Sequence, residues 1–400
     1  MTTNASNRKV YLDHSATTPV DPEVLNEMLP YFTETYGNAN SIHSFGTSAA
    51  FAVDTARRKI AELLKVKPTE IYFTSGGTEA DNWALKGMAY AKKSGGKHII
   101  TSSIEHAAIM SSAKQLAALG YEVTYLPVGK NGVVEPSELE KAIRPDTVLV
   151  SIMLANNEVG TIQPVKELCA IAHAHGVPFH TDAVQAMGNI PVNVKDLGVD
   201  LMTFSAHKFY GPKGIGVLYI RSGIKPDKLV IGGHQERTMR GGTTNVPLVV
   251  GMAKALEIAL RDLDKNSAHT KKLRDRFVNR IRNEIPYVIY NGDEEKRLPQ
   301  NANFSFEFIE GESLLLNLDL NGIACSSGSA CSSGSLDPSH VLLAMGLPAE
   351  KAHGSIRFSF GKENTREDVD YVVDKIVETV NKLRAISPLF YEFKGGIKNV

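Results

Sequence analysis

An α/β architecture is what this sequence predicts, with a large domain on a mostly parallel sheet and a smaller C-terminal α/β domain. Three observations carry that prediction. Between about residues 71 and 220, short apolar runs alternate with amphipathic helical stretches, as strands linked by crossover helices do. After about residue 247 the pattern changes to long helices with fewer, shorter strands. The last helical stretch has the clearest period in the chain: Val369, Val372, Val373, Ile376, Val377, Val380 and Leu383 follow the i, i+3, i+4 rule.

In chain order, Lys9-Val10-Tyr11-Leu12 predicts a short strand, and Asp13 to Pro19 a polar turn. Asp21-Pro22 opens a helix to about Phe32, since proline suits a first helical turn. Residues 36–43 are small and polar and predict a loop, and 51–64 have a helical period. Strands are predicted at 71–74, 98–102, 122–126, 148–154, 178–180, 201–204 and 216–220. Helices at 80–91, 108–118 and 166–175 lie between them, and right-handed crossovers place helices on both faces of the sheet. Further helices follow at 248–263 and from 270 to about 283, the second stopping short of Pro286. Strands at 302–307 and 355–360 come next, and Thr365 with Asp368 forms a capping box for the last helix. The aromatic tail, 389–394, either faces partners or folds back on the body.

Composition narrows the function classes. Hydrophobic content of 42% and charged content of 22% belong to a soluble globular protein. Lysine plus arginine balances aspartate plus glutamate, 44 against 44, which argues against nucleic acid or an anionic membrane as partner. The first eight residues are polar and do not resemble a signal peptide, and no apolar run is long enough to span a bilayer. Three cysteines, Cys169, Cys325 and Cys331, make no disulfide framework and point to a reducing cytoplasm.

The chemistry centres on Ser205-Ala206-His207-Lys208, between two buried strands. A lysine at a strand end either stays at the surface, the usual fate of a lysine, or loses solvation, so that its pKa falls and Schiff-base chemistry becomes available to it. Lys213, between proline and glycine, lies on a turn. Thr74-Ser75-Gly76-Gly77-Thr78-Glu79 joins a strand to a helix, and its free N–H groups suit a phosphate, although ordinary turns use the same residues. Asp182 stands at a strand's carboxyl end, where α/β sheets place ligands, or else caps a helix. Asn156 and Asn157 orient a polar ligand or stabilise a turn, and His106 stacks on a flat ring, moves protons or is structural. From Cys325 to Ser335, eight of eleven residues are serine or glycine, poor material for a core, so Cys331 reads as a reactive thiol.

Together these motifs resemble the pyridoxal-phosphate-dependent cysteine desulfurases. The resemblance rests on Tyr11-Leu12-Asp13-His14-Ser15-Ala16-Thr17-Thr18-Pro19, the Ser75-Gly76-Gly77-Thr78 turn, Asn156-Asn157-Glu158, Asp182-Ala183-Val184-Gln185, Ser205-Ala206-His207-Lys208 and Ser327-Gly328-Ser329-Ala330-Cys331. The long loop around Cys331 is similar to that of the first group of the family, which serves nitrogenase and iron–sulfur assembly. The resemblance implies the type I pyridoxal-phosphate fold, with a large domain over 16–262, a small one from 1–15 and 263–400, and a homodimer. It implies that Lys208 holds the cofactor, Asp182 pairs with the pyridine nitrogen, Gln185 and Asn157 contact the phenolic oxygen and its surroundings, and His106 stacks on the ring. Gly77, Thr78, Ser205 and His207 hold the phosphate, with Thr243 reaching in from the other subunit. Arg357 and Asn38 bind the substrate, and Cys331, Lys208 and His106 are the catalytic set. Two positions depart from the family pattern: Cys325 stands where a small residue without sulfur is usual, and the loop of Asn38 lacks the usual proline.

The implied reaction takes L-cysteine to L-alanine and leaves a persulfide on Cys331 for an iron–sulfur scaffold protein or another sulfur acceptor. A selenocysteine lyase on the same fold is the alternative. An aminotransferase needs no such thiol, and a non-catalytic sulfur carrier needs no Lys208 or Asp182. No metal and no direct nucleic-acid partner are implied.

Overall fold

The computed structural model describes residues 8–91, 95–327 and 337–396. Chain order begins with β1 (Val10–Tyr11), followed by β2 (Ile71–Thr74), β3 (His98–Ser102), β4 (Glu122–Leu126), β5 (Thr147–Ser151), β6 (Phe179–Asp182), β7 (Leu201–Ser205) and β8 (Gly216–Ile220). β2 to β8 form one sheet in the order β2-β8-β7-β6-β5-β3-β4. β3 to β7 run parallel, while β8 runs antiparallel to both its neighbours, β7 and β2. No α-helix separates β7 from β8, so the chain returns without a crossover and β8 is reversed.

Alternate side chains of each strand feed two cores. Ile99, Leu149, Leu201 and Leu218 pack with the helices Gly77–Ala91 and Ala107–Ala118 on one face. Ile100, Val150, Met202 and Val217 pack with Ser44–Leu64, Val165–Ala174 and Val246–Arg261 on the other. This is the period of two expected of strands buried on both sides.

The C-terminal third builds a second sheet from β9 (Val288–Tyr290), β10 (Asn301–Phe306), β12 (Ser326–Ser327) and β13 (Ser355–Ser359), in the order β12-β13-β10-β9. Phe304, Phe306 and Phe358 of this sheet, with Phe360 just beyond it, pack under the helices Leu263–Glu284 and Arg366–Ala385. The first strand belongs here too. β1 pairs in parallel with β11 (Ile323–Ala324), and Val10 and Leu12 join the phenylalanine core. Thr365 and Asp368 form the expected capping box.

Several boundaries differ from the sequence expectation. The first helix stops at Met28 and a short turn restarts at Pro30, because proline has no N–H to continue the ladder. The helix expected from 51 begins at Ser44, capped by His43, in a stretch of small residues that carries no apolar period. The strand β5 ends at Ser151 rather than 154, although the Ile152 and Leu154 amides still donate to the carbonyls of His180 and Asp182. The tail forms a helix, Pro388–Gly396, and folds back: Phe390 and Phe393 pack on Tyr287 and Phe308. Leu389 and Tyr391 remain exposed. Among the described residues no helix is long and apolar enough to cross a membrane.

Candidate active site

On the face covered by the helix Gly77–Ala91, the strands turn polar towards their carboxyl ends. Leu149 is followed by Ser151, Leu201 by Thr203 and Ser205, and β6 presents His180 and Asp182. Where these ends meet the start of the helix lies a cavity of about 340 Å³. It is within the usual size range for a small-ligand site. Ten of the residues expected from the sequence line it: Gly77, Thr78, His106, Asn157, Asp182, Gln185, Ser205, His207, Lys208 and Arg357. Sequence reasoning missed Ser15, Asp81 and Met153, which line it as well. Asp81 lies on the buried face of the helix that the glycine turn opens.

Lys208 ends a 3-10 turn directly after β7. Its Nζ donates to the carbonyl oxygens of Ser15 and Ala16, the latter at 2.7 Å. Gln185 Nε2 donates to the same Ser15 carbonyl at 2.8 Å. The segment after β1 therefore seats the lysine. The His207 ring meets Thr17 Oγ1 at 3.1 Å, and burial, helped by Lys208 and Lys213, pushes its pKa down to about 4. It is a neutral imidazole at neutral pH.

Asp182 is buried, with Oδ1 accepting the Val184 amide at 2.8 Å. Burial raises its pKa, while His106, the Val184 amide and Lys208 oppose the rise. His106 caps the helix Ala107–Ala118 by accepting the Ala108 amide on Nδ1 at 3.2 Å, and burial lowers its pKa. With Nδ1 accepting that amide, the ring keeps a proton on Nε2.

Opposite these groups, Arg357 reaches in from β13. Its Nη1 donates to the Asn157 carbonyl at 3.0 Å and Nη2 to Asp13 Oδ1 at 2.9 Å, while Nε is buried without a partner among the described residues. Asp13, its ion-pair partner, was legible only as part of a polar turn. The glycine turn is built for close approach. A Cβ on Gly77 would come within 2.9 Å of Val184 Cγ2, and Gly76 has a φ of 155°. Only glycine lets the helix start sit so near the strand ends.

Two expected site residues fall elsewhere, and a third is not described. Thr243 is exposed and lines a separate cavity of about 220 Å³ with Ser75, Glu236 and Arg240. Arg240 ties that loop to the glycine turn through a two-pronged ion pair with Glu79, at 2.8 and 2.9 Å. Asn38 is exposed, accepts the Asn40 amide at 3.0 Å and does not line the Lys208 cavity. Cys331 lies outside the described residues. Cys325 is half-buried against the phenylalanine core.

The donor set suits pyridoxal phosphate. A helix start with glycine amides favours an anionic phosphate, a buried carboxylate favours a protonated pyridine nitrogen, and an amine stands ready for the aldehyde. Comparison with known proteins agrees. The Aminotransferase class-V family model matches residues 10–372. The chain is 53% identical to "Cysteine desulfurase IscS" of Dictyoglomus turgidum over 97% of this chain and 98% of that protein. Among solved structures, a "NIFS-LIKE PROTEIN" superposes with a TM-score of 0.89 at 44% identity, over 94% of this chain and all of the other. A second, "SspA in complex with cysteine", gives 0.78 at 35% identity, over 89% of this chain and 99% of that one. The chain belongs to the class-V aminotransferase family and, within it, to the cysteine desulfurases, which depend on pyridoxal phosphate.

Proposed function

We propose that this desulfurase breaks the carbon–sulfur bond of L-cysteine, releases L-alanine and carries the sulfur away on Cys331. One observation carries the assignment of roles: Lys208, buried Asp182 and the Arg357 guanidinium converge on a single cavity. When bound, pyridoxal phosphate supplies an electron sink for charge developing at the substrate Cα. Asp182 keeps that sink charged by holding the proton on the ring nitrogen. Gly77, Thr78, Ser205 and His207 hold the phosphate, and His106 stacks against the ring. The Arg357 fork takes the substrate carboxylate, a task its planar donors suit. Lys208 removes the Cα proton through its Nζ and later returns one. The Cys331 thiolate attacks the substrate sulfur, so that an S–S bond forms as the C–S bond breaks. Two protons complete alanine. With relatives named for cysteine, selenocysteine lyase is not favoured.

The same reading divides the chain into a large domain, 16–262, and a small one of 1–15 with 263–400. It takes the protein as a homodimer in which Thr243 completes the partner's phosphate site. Exposed Leu29, Phe32, Ile42 and Phe51 support a face that a second copy covers. Asn38 then acts on substrate only from a neighbouring chain or after loop movement. An iron–sulfur scaffold protein is the acceptor we favour, in a reducing cytoplasm.

Borohydride reduction of the yellow holoenzyme followed by peptide mass spectrometry tests the central assignment. The pyridoxyl adduct is expected on Lys208. An adduct on Lys213 or any other lysine would overturn it.

A further inference from the structure

The glycine turn that receives the phosphate in this reading carries an acid, Glu79, in the first turn of its helix. That side chain folds back, and its Oε2 accepts the Ser75 amide at 2.8 Å. The bond spans Gly76, Gly77 and Thr78, so it closes the turn from which the free helix amides emerge. A carboxylate here is at odds with the anion that the turn must receive. Arg240 offsets its charge: the two-pronged pair at 2.8 and 2.9 Å leaves the Glu79 and Arg240 side chains only 13% and 21% exposed. Burial favours the neutral acid, but the bonds to Arg240 and Ser75 outweigh it and hold the Glu79 pKa below its usual value.

Arg240 is itself held by an unusual stretch of backbone. Glu236, Arg237 and Thr238 have φ values of 45°, 56° and 71°. Residues other than glycine visit this left-handed region singly rather than in runs. A buried ion pair keeps the run in place: Arg57 Nη2 and Nη1 donate to the two Glu236 carboxylate oxygens at 2.7 and 2.8 Å. Glu236 also accepts the Phe73 amide of β2 at 3.0 Å, and Arg57 donates to the Ile71 carbonyl at 2.7 Å. β2 runs directly into the glycine turn. The loop is thus fastened to β2 by Glu236 and to the turn by Arg240.

We propose that Arg240 is a positioning residue for cofactor binding: by neutralising Glu79 it keeps that carboxylate on the Ser75 amide and holds the glycine turn in the shape that receives a phosphate. The proposal rests on the assignment of that turn to the phosphate. Without its cation, Glu79 would turn out to water, release the Ser75 amide and leave an uncompensated negative charge next to Thr78.

The test compares dissociation constants of pyridoxal phosphate and of pyridoxal, which lacks the phosphate, for the full chain and its variants. Arg240→Gln is expected to weaken pyridoxal phosphate about tenfold or more and to leave pyridoxal unchanged. Adding Glu79→Gln is expected to restore most of the loss. The glutamine oxygen can still accept the Ser75 N–H, and no bare charge remains to be drawn into water. An Arg240→Gln variant with wild-type affinity for pyridoxal phosphate would overturn the proposal. So would an equal loss for pyridoxal, the mark of a merely structural residue, or a double variant that binds no better than the single one. Should Arg240→Gln fail to fold, Glu79→Ala deletes the acceptor of the Ser75 amide and decides instead. A loss confined to pyridoxal phosphate supports the proposal, and an absent or unselective loss overturns it. A wild-type protein that binds pyridoxal as tightly as pyridoxal phosphate would remove the phosphate assignment itself, and the proposal with it. That result is distinct from failure at Arg240 alone.

Discussion

Cys325 and Cys331 stand six positions apart in a chain with one further cysteine, yet their chemistry should differ. Cys325 lies between β11 and β12, against the phenylalanine core, and burial and nearby Asp13 push its thiol pKa up. A thiol is a poor nucleophile until it ionises. Cys325→Ser is therefore expected to keep both the cofactor colour and sulfur release from cysteine. Cys331→Ser should keep the colour and lose release. Persulfide mapping by mass spectrometry checks this, and a persulfide retained in Cys331→Ser but absent from Cys325→Ser would reverse the roles. Cys169 is a third case: buried, 3.7 Å from His173 Nε2, its pKa pushed up to about 12 by burial and Asp200. It is core material.

At the scale of elements, the terminal helix Pro388–Gly396 covers Tyr287 and Phe308 with two phenylalanines. Ending the chain after Ser387 should cost about 2 to 3 kcal/mol of stability, the order expected for re-exposing such rings. Cysteine-to-alanine turnover at low temperature should survive. Urea unfolding with matched activity assays measures both, and an unchanged midpoint would mean that the helix is not a stabilising element. The sequence made the strands of the large sheet legible because each pairs an apolar run with a turn. It also made most of the cavity legible, since the motifs at strand ends that carry Lys208, Asp182 and Gly77 together resemble a known family, though none marks the site alone. It hid β9 and β12, three and two residues long, because so short a run has no period to detect. It hid Asp81 because an acid on a helix reads as solvent-facing until the fold buries it. The Asp13–Arg357 pair was beyond reach too, since it joins positions 344 residues apart.

Across the whole molecule, stability should depend on pH in a direction set by acids buried without a cation. Glu105 accepts the Ser102 hydroxyl and the Met153 amide on one oxygen, and the other has no partner among the described residues. Burial pushes its pKa up to about 8 from the ordinary 4.5. Between those values the unfolded chain loses the proton and the folded one keeps it. The folded state then binds more protons, so stability falls as pH rises from about 5 to 8. Glu105→Gln carries no proton to lose and should flatten this decline, whatever constant cost it adds. Unfolding free energies of both proteins at pH 5.5 and 7.5 check the slope. Parallel slopes would show that Glu105 is ionised in the folded protein.

The pairing of β1 with β11 also has a consequence in time. The ribosome makes residues 10 and 11 early, but their partners, 323 and 324, only after some three hundred more. Until then the first strand has no place to dock. Ser15 and Ala16, whose carbonyls seat Lys208, follow that strand directly. The two cores of the large sheet draw on residues up to 298 and can begin to form earlier. Contacts so distant in sequence form late and slowly. The lysine's seat is thus finished only once residues 323 and 324 are in place. A product released from the ribosome before residue 323 lacks the clasp around its reactive amine.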